Sequence, residues 1–194
     1  MGLLLTVLAP LSAVNALVLR IGRGIGIIAI AFMVAAILIQ VVARYLFNNA
    51  LPWPDEAARF CMMWMTGLMA PTAFRRGGFV ALDMISGFMS PRVAAVLSLV
   101  LLLISLLILI VAVQIGIKEV TGFGGRFATA SLYLPTFEGW FRVPRSWMML
   151  SLLVGVVLLL VVNIELILRS LVQMMGGGDR LPDLDLPEDM QGAE

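Results

Sequence analysis

The sequence contains no histidine and only one cysteine. Without histidine the chain lacks the usual ligand of haem b and of most zinc sites, and it lacks the commonest general base of enzymes. Because Cys61 is the only cysteine, the chain forms no internal disulfide and carries no thiol-pair redox chemistry. These absences leave the chain few means for enzymatic or redox chemistry, and we predict no enzyme activity, no catalytic residue, no cofactor and no metal site.

Charged residues are also scarce, at 13% of the 194 residues, whereas 61% are hydrophobic and the mean hydropathy is +1.06. A soluble domain is about half apolar and about one quarter charged. The composition therefore predicts an integral membrane protein whose surroundings are a lipid bilayer. The net charge of +1 argues against nucleic acid as a partner, because nucleic-acid binding needs a concentrated basic surface.

Long apolar segments predict an all-α protein with a four-helix membrane domain over residues 21–170. A helix of about 20 apolar residues is needed to cross the hydrocarbon core. The predicted transmembrane helices cover about residues 21–43, 54–74, 93–117 and 147–168. In the first of them, Gly22 and Gly26 have the GxxxG spacing that allows two helices to approach closely.

The remaining segments are too short or too polar to cross a membrane. Residues 1–20 are interpreted as an interfacial lead-in that stays attached, although Val14-Asn15-Ala16 also resembles a signal-peptide cleavage site. Residues 79–89 predict an interfacial helix between the second and third spans. Residues 118–146 form the longest loop, with little helix, and residues 171–194 predict a disordered acidic tail.

An even number of spans places both chain ends on one side of the membrane. Arg75, Arg76 and Arg92 form a compact basic cluster on that side, and the positive-inside rule then favours a cytoplasmic location for both termini. The junction between the first and second spans would face outward.

That junction, residues 44–59, concentrates most of the specific polar chemistry of the chain. Pro54 lies in the first helical turn, where its missing N–H costs no hydrogen bond. The helix dipole favours the negative charges of Asp55 and Glu56, which follow directly. Arg59 follows at helical spacing and predicts a pair with either carboxylate. The cluster could belong to a proton or substrate pathway, but its place near an interface favours a capped helix start with a salt bridge to a neighbouring helix or subunit.

Other polar residues leave similar alternatives. Arg44 is either a helix-end arginine that extends to the interface or a tie between helices. Asp83 either bonds to a neighbour or faces solvent. Gln114 and Glu165 are placed near span ends, where they are solvated or partnered. No predicted span carries a charge near its centre, whereas a self-sufficient ion-coupled transporter typically has a buried carboxylate or a broken helix there.

Residues 44–85 contain a sequence pattern in a fixed order: an arginine and an asparagine after the first span, a Leu-x-Trp motif, an acidic pair with a following arginine, a tryptophan inside the second span, and an arginine before a Val-x-Leu-Asp run. The residues of this pattern are Arg44, Asn48 or Asn49, Leu51, Trp53, Asp55, Glu56, Arg59, Trp64, Arg76, Val80, Leu82 and Asp83. The pattern resembles that of the small membrane subunit of tripartite ATP-independent periplasmic (TRAP) transporters, the DctQ-like family. Phe79 stands where that family usually has a histidine.

The resemblance implies a non-catalytic accessory subunit in the inner membrane of a bacterium. In such systems a large membrane subunit carries the substrate and sodium sites, and a periplasmic binding protein delivers an organic acid. The implied interface or structural residues are Arg44, Asn48, Trp53, Asp55, Glu56, Arg59, Trp64 and Asp83. The competing hypotheses are a small homo-oligomeric transporter or channel with Glu56 as its proton-binding group, and a membrane enzyme or quinone-linked redox anchor.

Overall fold

The computed structural model describes residues 2–77, 91–122, 127–136 and 139–175. Most of these residues belong to four helices, α1 (Gly2–Leu46), α2 (Pro54–Gly77), α3 (Pro91–Thr121) and α4 (Ser146–Met174). Between α3 and α4 lie two short antiparallel strands, β1 (Ala128–Thr136) and β2 (Gly139–Pro144). The predicted interfacial helix at 79–89 lies outside the described residues.

Helix α1 is longer than the sequence predicts, because it begins at Gly2 and not at Ile21. The predicted lead-in is therefore helical and continuous with the first span. The buried positions of α1 alternate between steps of four and three residues over most of its length, which is the 3.5-residue repeat of a helix that packs along one narrow stripe. The buried residues of this stripe are Leu8, Ser12, Asn15, Leu19, Gly22, Gly26 and Ala36.

Helix α2 begins at Pro54, as predicted, and Asp55 and Glu56 occupy its first turn. The backbone N–H of Ala57 donates to the carbonyl of Trp53 at 3.0 Å, which closes this first turn. The helix continues through the buried Pro71 to Gly77. By length and composition, however, α2 is not among the three helices of the described chain that are apolar enough to cross a membrane, which are Leu8–Leu46, Val93–Thr121 and Ser146–Met174.

The predicted loop at 118–146 is mostly structured. Helix α3 extends to Thr121, and the two strands pair with Tyr133 opposite Arg142. The guanidinium of Arg142 lies 5.3 Å from the centre of the Tyr133 ring, within cation–π range. The all-α prediction therefore describes the helices and misses this hairpin. Helix α4 likewise extends to Met174, beyond the predicted start of the tail at residue 171.

The chain divides into two compact units, each built from parts of several helices. The first unit comprises residues 1–21, 70–111 and 157–194, and the second comprises residues 22–69 and 112–156. The apolar core of the first unit joins α1, α3 and α4, and two half-buried residues pack against it. This core consists of Leu19, Leu102, Val162 and Leu166, flanked by Phe74 and Ile167.

In the second unit, α2 and α4 approach each other backbone to backbone. A Cβ atom at Gly67 would overlap the carbonyl oxygen of Ser151, and a Cβ atom at Gly155 would lie 2.6 Å from the carbonyl oxygen of Gly67. Ser151 and Gly155 form a small-xxx-small pair, the usual device for close helix contact in membranes. The predicted GxxxG of α1 also faces α2, but its contacts are looser, since the atoms nearest to Gly26 belong to a flexible methionine side chain.

Candidate functional site

The most buried charge in the described chain is the carboxylate of Glu165, which has no exposed surface. Its position follows from α4, because Val162 and Leu166 on the same helix pack into the core of the first unit. Sequence analysis placed Glu165 near a span end and left solvation or a partner as alternatives. The carboxylate lies more than two turns before Met174 and is partnered.

Arg75, near the end of α2, binds this carboxylate with two hydrogen bonds. Its Nη2 donates to Oε1 of Glu165 at 2.8 Å and its Nε donates to Oε2 at 3.1 Å. The guanidinium fork thus matches both carboxylate oxygens, which is the strongest geometry for such a pair. Because Arg75 is buried, the pair is shielded from water. The sequence predicts Arg75 in a compact basic cluster with Arg76 and Arg92 beside the membrane spans, whereas the structure buries its guanidinium against Glu165.

Arg169 approaches the same carboxylate from one turn further along α4. Its Nε and Nη2 lie 3.1 and 3.0 Å from Oε1 of Glu165. Spacing of four residues places the two side chains on one face of the helix, so that the pair forms within a single element. Arg169 is buried as well.

Two polar residues of α1 complete the cluster. The Oγ of Ser12 accepts a hydrogen bond from Nη2 of Arg75 at 3.0 Å and another from Nη2 of Arg169 at 2.9 Å. The Nδ2 of Asn15 donates to Oε2 of Glu165 at 2.7 Å. Ser12 and Asn15 belong to the buried stripe of α1, so the packing of that helix carries them into the cluster.

The charged groups of this cluster are paired with one another and hold helices together. Each oxygen of Glu165 accepts at least two hydrogen bonds, which fills the roughly four acceptor positions of a carboxylate. Burial of charged groups is costly, and the pairing offsets that cost only while every partner is present. Loss of one partner from a buried ion pair typically costs about 3–5 kcal/mol. The cluster therefore joins α1, α2 and α4.

The residues that sequence analysis selected lie elsewhere, at the end of α1, in the linker and in the first turns of α2. Asn48 has a φ of 50°, a left-handed conformation that asparagine tolerates better than most residues. The guanidinium of Arg44 lies 6.0 Å from the centre of the Tyr45 ring. The exposed members of the set are Arg44, Asn48, Trp53, Asp55 and Arg59, and Glu56 is half-buried.

Trp64 is the selected residue that faces inward most. Its ring centre lies 6.3 Å from that of Phe60, and its Nε1 is buried with no hydrogen-bond partner among the described residues. Asp83 lies outside the described residues. The exposed members of the selected set thus lie at the helix junction and Trp64 is half-buried in α2, whereas the hydrogen-bonded cluster consists of other residues.

The sequence from residue 33 to residue 173 matches the family model described as tripartite ATP-independent periplasmic transporters, DctQ component. This match covers well over half of the chain. The protein belongs to the DctQ family. The family is a component of a transporter, and in the described part of this DctQ component three helices are long and apolar enough to cross a membrane. The comparison with individual curated proteins finds no significant match.

The matched region divides the buried cluster of this DctQ component. Arg75, Glu165 and Arg169 lie within residues 33–173, whereas Ser12 and Asn15 precede them. Two of the groups that satisfy the buried charges therefore come from a part of α1 outside the family match.

Two sequence signals pointed to the cluster. Glu165 and Arg169 are spaced by four residues inside a long apolar helix, and intramembrane ion pairs generally have a defined role. Ser12 and Asn15 share one face of α1 by the same kind of spacing. The sequence does not indicate which helix pairs with Glu165, because Arg75 lies ninety positions before it.

Proposed function

We propose that this DctQ component is a non-catalytic scaffold for the large membrane subunit of its transporter. The complex would take up an organic acid together with sodium, after delivery by a periplasmic binding protein. The chain would lie in the bacterial inner membrane with four spans and with both termini in the cytoplasm. This assignment combines the family with the character of the buried cluster.

The observation that supports a scaffolding role is the occupancy of Glu165. A carboxylate that binds a transported ion or proton needs free acceptor positions or a path to water. Both oxygens of Glu165 are instead occupied by side chains of α1, α2 and α4, and the carboxylate is fully buried. Such a group holds helices in place and has no capacity left for a solute.

The helix junction is the best candidate for contact with the large subunit. Its exposed side chains combine charge with large apolar groups, which suits a protein interface at the edge of a bilayer. Tyr45 and Phe47 are 77% and 75% exposed, and an apolar groove of about 490 Å³ lies beside them. The groove is lined by Leu38, Ile39, Val42, Ala43, Phe47, Asn49 and Leu51.

Reconstitution with and without the partners tests the proposal. The purified chain, its large subunit and its binding protein would be incorporated into proteoliposomes in all combinations, with and without a sodium gradient. We expect a tagged chain to capture the large subunit, and we expect uptake only when all three components are present.

Uptake by the chain alone would reject the proposal in favour of an independent transporter. In that event the variant Glu56→Gln should abolish uptake, because Glu56 is the proton-binding group of that alternative. Uptake by the large subunit and binding protein without this chain would equally contradict an obligatory scaffold.

A further inference from the structure

Helix α2 presents a physical problem for a membrane protein. It has 24 residues and is therefore about 36 Å long, enough to cross a hydrocarbon core of about 30 Å. It is nevertheless absent from the helices of the described chain that could cross by composition. Its charges lie towards its two ends, with Asp55 and Glu56 in the first turn, Arg59 in the second, and Arg75 and Arg76 in the last.

Helix α4 offers α2 two compensations. In the first unit, Glu165 of α4 binds the guanidinium of Arg75 through two hydrogen bonds. In the second unit, Ser151 and Gly155 of α4 accept the backbone of α2 at Gly67 with no room for a side chain. One contact neutralises a charge, and the other supplies close packing, which drives helix association in lipid.

We infer that α2 is a dependent transmembrane span that is held across the bilayer by α4. An arginine that lacks a counter-charge is unfavourable in hydrocarbon, and α2 has too little apolar surface to outweigh it. Once Glu165 binds Arg75, the two charges balance each other within the buried cluster. Ser12 accepts a hydrogen bond from Arg75, and Asn15 donates one to Glu165. This inference concerns the insertion of the chain and holds whether or not the chain scaffolds a permease.

The order of synthesis gives the inference a consequence. Residue 75 is made before residue 165, so α2 emerges before its carboxylate partner exists. Stable placement of α2 therefore waits for α4, the last of the described helices. Helices α1, α3 and α4 have no such dependence, since each is apolar enough to cross by itself.

The only cysteine of the chain provides a native reporter. Cys61 lies in α2, about 10 Å along the helix from Pro54, and is half-buried. If α2 spans the bilayer, this thiol lies within hydrocarbon and is protected from a membrane-impermeant maleimide. In sealed and in inverted vesicles, we expect labelling of the full-length wild type to be at least about tenfold slower than after denaturation in detergent.

The decisive variant is Glu165→Gln in the full-length chain. Because Arg75 then loses its counter-charge, we expect labelling of Cys61 to increase about tenfold in vesicles of one orientation. The control is Glu119→Gln, which removes an exposed glutamate of α3 and should leave labelling unchanged.

A double variant separates this effect from general misfolding. Of the two arginines that Glu165 binds, Arg75 lies in α2 and Arg169 in α4. Adding Arg75→Leu to Glu165→Gln removes the charge from α2, so we expect protection of Cys61 to return to near the wild-type level. Rapid labelling of the wild type, unchanged protection in Glu165→Gln, or failure of Arg75→Leu to restore protection would each overturn the inference.

Discussion

At the scale of single residues, Ser12 accepts three hydrogen bonds from two buried arginines. Its one hydroxyl oxygen accepts hydrogen bonds from two buried guanidinium groups, those of Arg75 and Arg169. Its backbone carbonyl accepts a further bond from Arg75 at 3.3 Å. Because hydrogen bonds to charged groups are stronger than those between neutral groups, this small side chain contributes more than its size suggests.

The variant Ser12→Ala should therefore destabilise the protein by about 1–3 kcal/mol, since it removes one hydrogen-bond acceptor from each of two buried guanidinium groups. We expect a lower midpoint of thermal unfolding for the purified protein in detergent. The matched control is Ser98→Ala, because the hydroxyl of Ser98 only donates to the carbonyl of Ala94 one turn earlier in α3. Equal midpoints for Ser12→Ala and Ser98→Ala would argue against a structural role for the Ser12 hydroxyl.

At the scale of the helices, the closest contact is between α2 and α4. The backbones meet where Gly67 faces Ser151 and Gly155, and a side chain at either glycine would overlap the opposite backbone. Since backbone atoms cannot rotate away as a side chain can, the helices would have to separate. This contact makes the pair of helices sensitive to a single methyl group.

We expect Gly67→Ala and Gly155→Ala each to cost about 1–3 kcal/mol through overpacking. The measurement is again thermal unfolding in detergent, together with the yield of folded protein. Gly24→Ala is the control, because a Cβ atom at Gly24 of α1 would meet nothing within 4 Å. A stability of Gly67→Ala as high as that of Gly24→Ala would show that α2 and α4 tolerate a wider separation.

Local signals predicted the start of α2 but not the tertiary contact near its other end. The start of α2 followed correctly from Pro54, Asp55 and Glu56, because capping and dipole effects depend only on neighbouring residues. The contact between Arg75 and Glu165 could not be predicted in the same way, because helix rotation and neighbour choice are tertiary properties. The hairpin was missed for a related reason: Tyr133 and Arg142 lie in short strands with weak alternation.

At the scale of the whole molecule, the polar residues separate into two groups with different roles. The inward group, around Glu165, is consumed by contacts within the chain. The outward group, at the junction of α1 and α2, presents exposed charges such as Arg59 and Asp55. We propose that the second group is the one that contacts the partner subunits of the transporter.

We therefore expect Arg59→Ala to reduce the recovery of the large subunit severalfold when the tagged chain is purified. Arg59 is exposed and follows Asp55 by one helical turn, so its removal changes the charge of the surface that we propose for the contact. Lys118→Ala is the control, since it removes an exposed cation from the last turn of α3. Equal recovery with Arg59→Ala and Lys118→Ala would place the subunit contact on another surface.

The family match leaves out the part of the buried cluster that lies in α1, and this matters for the design of hybrids between family members. A hybrid built by grafting residues 33–173 onto the leading segment of a relative would import Glu165 and both of its arginines, but not the hydroxyl and amide of Ser12 and Asn15. In such a hybrid the buried charged groups would lose these hydrogen-bond partners, unless the leading segment of the relative supplies equivalent groups at those two positions. A segment transplanted between family members should therefore include Ser12 and Asn15, although the family match begins only at residue 33.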